Sequence, residues 1–109
     1  MRKKATDALI SCGIPMNQSG FLYIVDIMQL YEENGAPMTN MGVVYGIIGK
    51  RYKTDSRFII ENIHYSLKFG RDNCRTGDWN KYFGLTFTPK TIGNCLANMY
   101  MRLKEEEIG

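Results

Sequence analysis

An all-α single domain is the fold that this sequence predicts, on three observations. Apolar residues recur at three- and four-residue spacings through most of the chain, the period that gathers them on one face of a helix. No segment sustains the period-two alternation with β-branched residues that marks a half-buried strand. No repeat, low-complexity tract or long linker divides the 109 residues, a length that closes one core without disulfides or a metal.

A basic tail over 1–5, with Arg2, Lys3 and Lys4, precedes a short helix over 6–12 that carries Ala8, Leu9 and Cys12. Gly13 and Pro15 end it, a stop signal followed by a residue that cannot continue a helix. Over 21–33, Phe21, Ile24, Val25, Met28 and Tyr31 form one buried stripe, closed by Asn34 and Gly35. Thr39 is the expected N-cap of a third helix running to Tyr52, with Val43, Val44, Ile47, Ile48 and Tyr52 on its apolar face. Gly42, Gly46 and Gly49 weaken that helix by about 1 kcal/mol each relative to alanine; their role would be to let a neighbouring helix approach closely.

Lys53, Thr54, Asp55 and Ser56 make a polar break of capping and turn residues, so a fourth helix starts there and covers about 55–70. Ile59, Ile63, Ser66, Leu67 and Gly70 fall on one side of it. Arg57, Glu61, His64, Tyr65 and Lys68 fall on the other, which is left free. The signal fades after Arg71, although Trp79, Tyr82 and Phe83 in "DWNKYFGLT" suit one short helix. Thr88 before Pro89 reads as an N-cap with proline at the first helical position. The last helix then runs to about Glu106, burying Ile92, Cys95, Leu96, Met99 and Leu103, and residues 104–107 read as its frayed, solvated end.

Composition narrows the function classes. With 44% hydrophobic and 23% charged residues the chain is globular rather than disordered. A net charge of +3 permits a polyanionic partner without demanding one, so its distribution matters more. Lys50, Arg51, Lys53 and Arg57 cluster centrally while Glu105, Glu106 and Glu107 close the chain, which points to residues 50–70 as the anion-binding face. Cys12, Cys74 and Cys95 have no CxxC pair and one histidine to assist them; a zinc site is not expected, and they read as buried reduced thiols. No apolar run suits a signal peptide or the roughly 20 residues of a membrane span, so a soluble cytoplasmic protein is expected. With no phosphate-cradling glycine loop, metal-ligand cluster or nucleophile motif, neither an enzyme nor a cofactor is expected.

Two helices joined by a tight polar turn, the second with a polar outward face, describe a helix-turn-helix, whose second helix lies in the DNA major groove. On that reading Lys50, Arg51, Lys53, Thr54, Ser56 and Lys68 hold phosphates, while Arg57, Ile60, Glu61, His64 and Tyr65 meet base edges. The same pattern occurs in helical domains that bind no nucleic acid, and exposed charged faces are usually just solvated. Trp79, Tyr82 and Phe83 read as core rather than as a base-stacking platform, and the seven methionines mostly as core filler. His64 has no nucleophile motif around it and reads as a solvated or nucleic-acid-facing side chain rather than a catalytic base.

"GIPMNQSGFLYI" over 13–24, "VVYGIIGKRYKT" over 43–54 and "YFGLT" over 82–86 resemble the C-terminal effector domain of the stage-zero sporulation response regulator family. The resemblance spans about 6–104 and implies about six helices with a central helix-turn-helix that binds a short promoter element, often as self-associating tandem copies. Members of that family normally carry an N-terminal phosphoacceptor receiver domain, so it implies either the effector part of a longer protein, with residues 1–5 a linker remnant, or a freestanding relative. The departures fall where the family reads DNA: its base-contacting Glu-Arg pair aligns with Ile60 and Glu61, and a later arginine with His64. Glutamate in place of a guanine-reading arginine removes that readout, so the family's target sequence does not carry over. Arg57, one turn earlier, is the residue that would take over guanine, Glu61 would accept from cytosine and Ile60 would touch a thymine methyl. The alternative is a protein-interaction module of the same fold that has lost operator binding, since Phe58, Ile60 and Tyr65 put apolar surface on or beside this face.

Overall fold

A computed structural model of the protein describes residues 1–84 and 91–108, and those residues form helices only. In chain order these are α1 (Arg2–Ser11), α2 (Ser19–Asn34), α3 (Met41–Tyr52), α4 (Ser56–Asn73), α5 (Asp78–Phe83) and α6 (Ile92–Ile108). The radius of gyration, 12.6 Å, is close to the value of about 13 Å that a compact chain of this length adopts. Thr88 and Pro89, read as the cap of the last helix, lie outside the described residues.

The chain folds around α2. Its sequence is apolar on nearly every side, and a helix of that kind is stable only when surrounded. Accordingly α1, α3, α4 and α6 all pack on it, and Tyr23, Asp26 and Ile27 are buried along with the expected stripe. Gly35 ends it in the left-handed conformation (φ 83°), which glycine adopts at little cost. Near the other end, a Cβ on Gly20 would overlap the Asn62 carbonyl and the Ser66 hydroxyl of α4. The close helix approach expected along α3 is therefore found here, at the crossing of α2 and α4.

Residues 2–5, expected as a basic tail, are the first turn of α1: Ala5 is fully buried and Arg2 pairs with Asp26 of α2. Periodicity missed this because the partner is distant in sequence. The other end of the chain is also tied down, contrary to the frayed end expected over 104–107. Lys104 pairs with Glu32 at 3.1 Å and Glu107 at 2.7 Å, Glu107 pairs with Lys4 at 2.7 Å, and Glu106 accepts from Lys81 at 2.7 Å and the Tyr82 hydroxyl at 2.6 Å.

The short helix expected around Trp79 is α5, and Trp79, Tyr82 and Phe83 are buried, so they build the core rather than a stacking platform. The stripe expected on α6 is buried at all five positions, joined by Tyr100. Cys12 and Cys95 are buried and Cys74 only half-buried; burial pushes the Cys12 thiol up to about 12, leaving it inert. Among the methionines only Met28 and Met99 are fully buried, while Met16 and Met101 are exposed, so the core-filler reading holds for part of the set.

Candidate nucleic-acid interface

α3 starts at Asn40, whose side chain accepts from the Val43 N–H at 3.3 Å; Thr39 is not the cap. The buried face is also turned by about one residue from the expected one, as packing on α2 and α4 sets it. Val44, Tyr45, Ile48 and Gly49 are buried, Val43 is 47% exposed and Ile47 only half-buried. Tyr52, expected inward, reaches the surface but keeps its ring edge-on to Tyr23 at 5.0 Å.

The turn between α3 and α4 is three residues, Lys53, Thr54 and Asp55; Ser56, expected within it, is the first residue of α4. Lys53 sits in the left-handed region (φ 55°, ψ 45°), the only non-glycine residue with positive φ among the described residues. That conformation closes α3, because it lets the Thr54 N–H donate to the Gly49 carbonyl at 2.9 Å and the Lys53 N–H to the Lys50 carbonyl at 3.4 Å. Gly49 makes the fold-back possible: a Cβ there would lie 2.7 Å from the Thr54 carbonyl oxygen. A Cβ on Gly42 would meet only the Asn40 side chain, at 3.3 Å, and one on Gly46 nothing within 4 Å; both glycines are exposed.

Asp55 then caps α4, accepting from the Phe58 N–H at 2.8 Å. Its carboxylate already occupies the positive end of the helix dipole, so any attraction of phosphate to this corner comes from lysine side chains rather than from open backbone N–H groups. Lys50, Lys53, Thr54 and Ser56 do converge: with Gly46, Gly49 and Asp55 they line one shallow basin of about 730 Å³ over the turn.

Arg51 is elsewhere. Its guanidinium lies 3.6 Å from the Asp26 carboxylate, which also accepts from Arg2 and from the Tyr52 hydroxyl. Burial, and then that hydrogen bond, push the Tyr52 hydroxyl up to about 12. Asp26 is only 4% exposed, and no spacing in the sequence marked it. The signal was a carboxylate interrupting the apolar run from Phe21 to Met28, a residue type almost never buried without partners.

α4 divides as its pattern expects. Ile59, Ile63, Ser66, Leu67 and Gly70 are buried, and Arg57, Glu61, Tyr65 and Lys68 are exposed along the opposite side. His64 is half-buried; Ile60, expected as a base contact, is half-buried too and packs against the core, which limits its reach. Arg57 Nε lies 3.3 Å from Glu61 Oε1, an exposed pair one turn apart whose rupture costs about 0.3–0.5 kcal/mol. Both groups are therefore available to another partner. At a rise of 1.5 Å per residue, Lys68 stands about 16 Å beyond Arg57 along the axis, too far to share one phosphate cluster with the turn. Lys68 instead joins Tyr65, Phe69, Asp72 and Asn73 around a smaller hollow of about 190 Å³.

Among the described residues no three His, Cys, Asp or Glu side chains gather as metal ligands, and no helix is long and apolar enough to cross a membrane. No protein-family model, curated protein or solved structure matches this chain.

Proposed function

We propose that this chain is a sequence-specific DNA-binding domain of a bacterial transcription regulator, with α4 as the recognition helix in the major groove. One observation carries the reading: Arg57, Glu61, Tyr65 and Lys68 are exposed along one side of α4, which follows directly on a tight turn whose basin holds Lys50 and Lys53. An α-helix fits the major groove of about 12 Å, and residues of its first turns are those that reach base edges. Arg57 and Glu61 stand in that position, while Lys50, Lys53, Thr54 and Ser56 anchor phosphate. Tyr65 and Lys68, further along, meet the flanking backbone. The resemblance to the sporulation regulator effector domain supports the same reading and adds tandem-site self-association and control by a receiver domain as parts of the proposal. Function on this reading is equilibrium binding in the cytoplasm, without catalysis or a cofactor.

A second reading, a protein-docking module of the same fold, is favoured by Phe58 and Tyr65, which are 44% and 59% exposed on α4. Anisotropy titration of a labelled mixed-sequence duplex at two salt concentrations separates the two. DNA binding gives saturable association that weakens steeply with salt, by about 0.9 in slope for each phosphate neutralised. No saturable binding at low micromolar protein and low salt sinks the DNA reading in favour of protein docking.

A further inference from the structure

Asp26 lies midway along α2, nearly sealed from solvent, and gathers Arg2 from the start of α1 with Arg51 and Tyr52 from the end of α3. Arg51 and Tyr52 are the last two residues of α3, immediately before the left-handed Lys53 that starts the turn. Whatever fixes those two residues fixes the direction from which the turn leaves, and hence where the Lys50 and Lys53 side chains and the first turns of α4 stand. The carboxylate Oδ1 faces Arg2, while Oδ2 is shared by Tyr52 and Arg51. An almost fully buried carboxylate holds such partners strongly, because losing one leaves charge uncompensated in a poorly solvated site.

We propose that Asp26 and Arg51 are a positioning pair for the DNA-binding corner: Arg51 acts through the buried Asp26 carboxylate to hold the end of α3, and makes no phosphate contact. The inference rests on the DNA-binding reading and changes the role of one cation in it. Of the central basic residues, Lys50 and Lys53 supply counterion release, whereas Arg51 supplies geometry. The two roles separate in the salt dependence of binding. A phosphate contact contributes to the slope of log affinity against log salt, whereas a positioning contact lowers affinity at every salt concentration by the same factor.

The experiment measures binding of one mixed-sequence duplex across a salt series for the wild-type chain, Lys50→Met, Arg51→Met, Asp26→Asn and the double variant Asp26→Asn/Arg51→Met, each checked for cooperative thermal unfolding. Lys50→Met is expected to reduce the slope by about 0.9. Arg51→Met is expected to keep the wild-type slope and lose about tenfold in affinity throughout, the order by which a residue away from the ligand shifts binding through the element it holds. Asp26→Asn keeps the slope too and loses at least as much, because it also weakens the Arg2 and Tyr52 contacts, and the double variant loses little more than Asp26→Asn alone, because the Arg51 contact is already gone. If Asp26→Asn does not fold, Arg51→Met decides alone, since Arg51 is partly exposed. A slope reduced by Arg51→Met as much as by Lys50→Met overturns the inference and leaves the DNA reading standing. Unchanged affinity in Arg51→Met overturns it too. An unchanged slope in Lys50→Met, or no saturable binding by the wild-type chain, removes the DNA reading and the inference with it.

Discussion

Two glycines of α3, three residues apart, should respond oppositely to alanine. At Gly46 a Cβ meets nothing within 4 Å, so Gly46→Ala gains only the helix-propensity term, about 1 kcal/mol. At Gly49 the same methyl falls 2.7 Å from the Thr54 carbonyl oxygen, against 3.4 Å for ordinary contact, so backbone must yield by about 0.7 Å. Thr54 is bonded back to Gly49 itself through its N–H, and Asp55 caps α4 directly after it, so the turn cannot move without disturbing both helix ends. Forcing extra volume into such a contact costs about 1–3 kcal/mol. Both variants share the propensity gain, and the difference between them isolates the clash. Urea unfolding followed by far-UV circular dichroism should place the Gly49→Ala midpoint about 1 M below that of Gly46→Ala, at slopes of about 1–3 kcal/mol/M. Equal midpoints would show that the turn does not fold back onto α3, and the geometry that aims α4 would fall.

Gly20→Ala should be more damaging than Gly49→Ala, by loss of the close α2 to α4 crossing, since its methyl overlaps a backbone carbonyl as well as Ser66; a thermal midpoint within a degree of wild type would contradict that packing. Lys53→Gly should raise stability by about 1 kcal/mol by relieving the left-handed strain, while on the DNA reading it weakens duplex binding by removing a cation. Paired denaturation and anisotropy measurements check both halves, and a destabilised variant would refute the strain argument. Acid should weaken the fold through the carboxylates at the end of α6 and Glu32 of α2, which shares Lys104 with them. Glu107, hydrogen-bonded by Lys104 and then Lys4, is held down at about 2; Glu106 is lowered by Lys81 and then Tyr82, and Glu32 by Tyr100 and then Lys104. Folded values below the unfolded one of about 4.3 mean that the unfolded chain takes up protons first, so this stability is complete above that value and is lost as pH falls toward about 2. Thermal midpoints across that window should fall less steeply in Glu107→Gln, and the effect should shrink in high salt because these groups are exposed.

The sequence by itself determined the helical class and the inward and outward sides of α4, because a period of 3.6 is a local property that reads directly from Ile59, Ile63 and Leu67 against Arg57, Glu61 and Lys68. It also marked the turn, where Lys53, Thr54 and Asp55 interrupt the pattern, and the buried stripe of α6. It misjudged which glycine serves close packing and how much of α2 is buried, since both depend on which helices cross at that point. The different placement of neighbouring cations was equally invisible. Lys50 and Arg51 are neighbours of the same charge on one helix, yet they point about 100° apart. Only the assembled core, with Asp26 buried beneath α3, brings the partly exposed Arg51 to an ion pair while Lys50 stays over the turn. Pairing across 25 positions is decided by helix packing, because Coulomb attraction in a poorly solvated site acts on distance in space and leaves no mark on spacing along the chain.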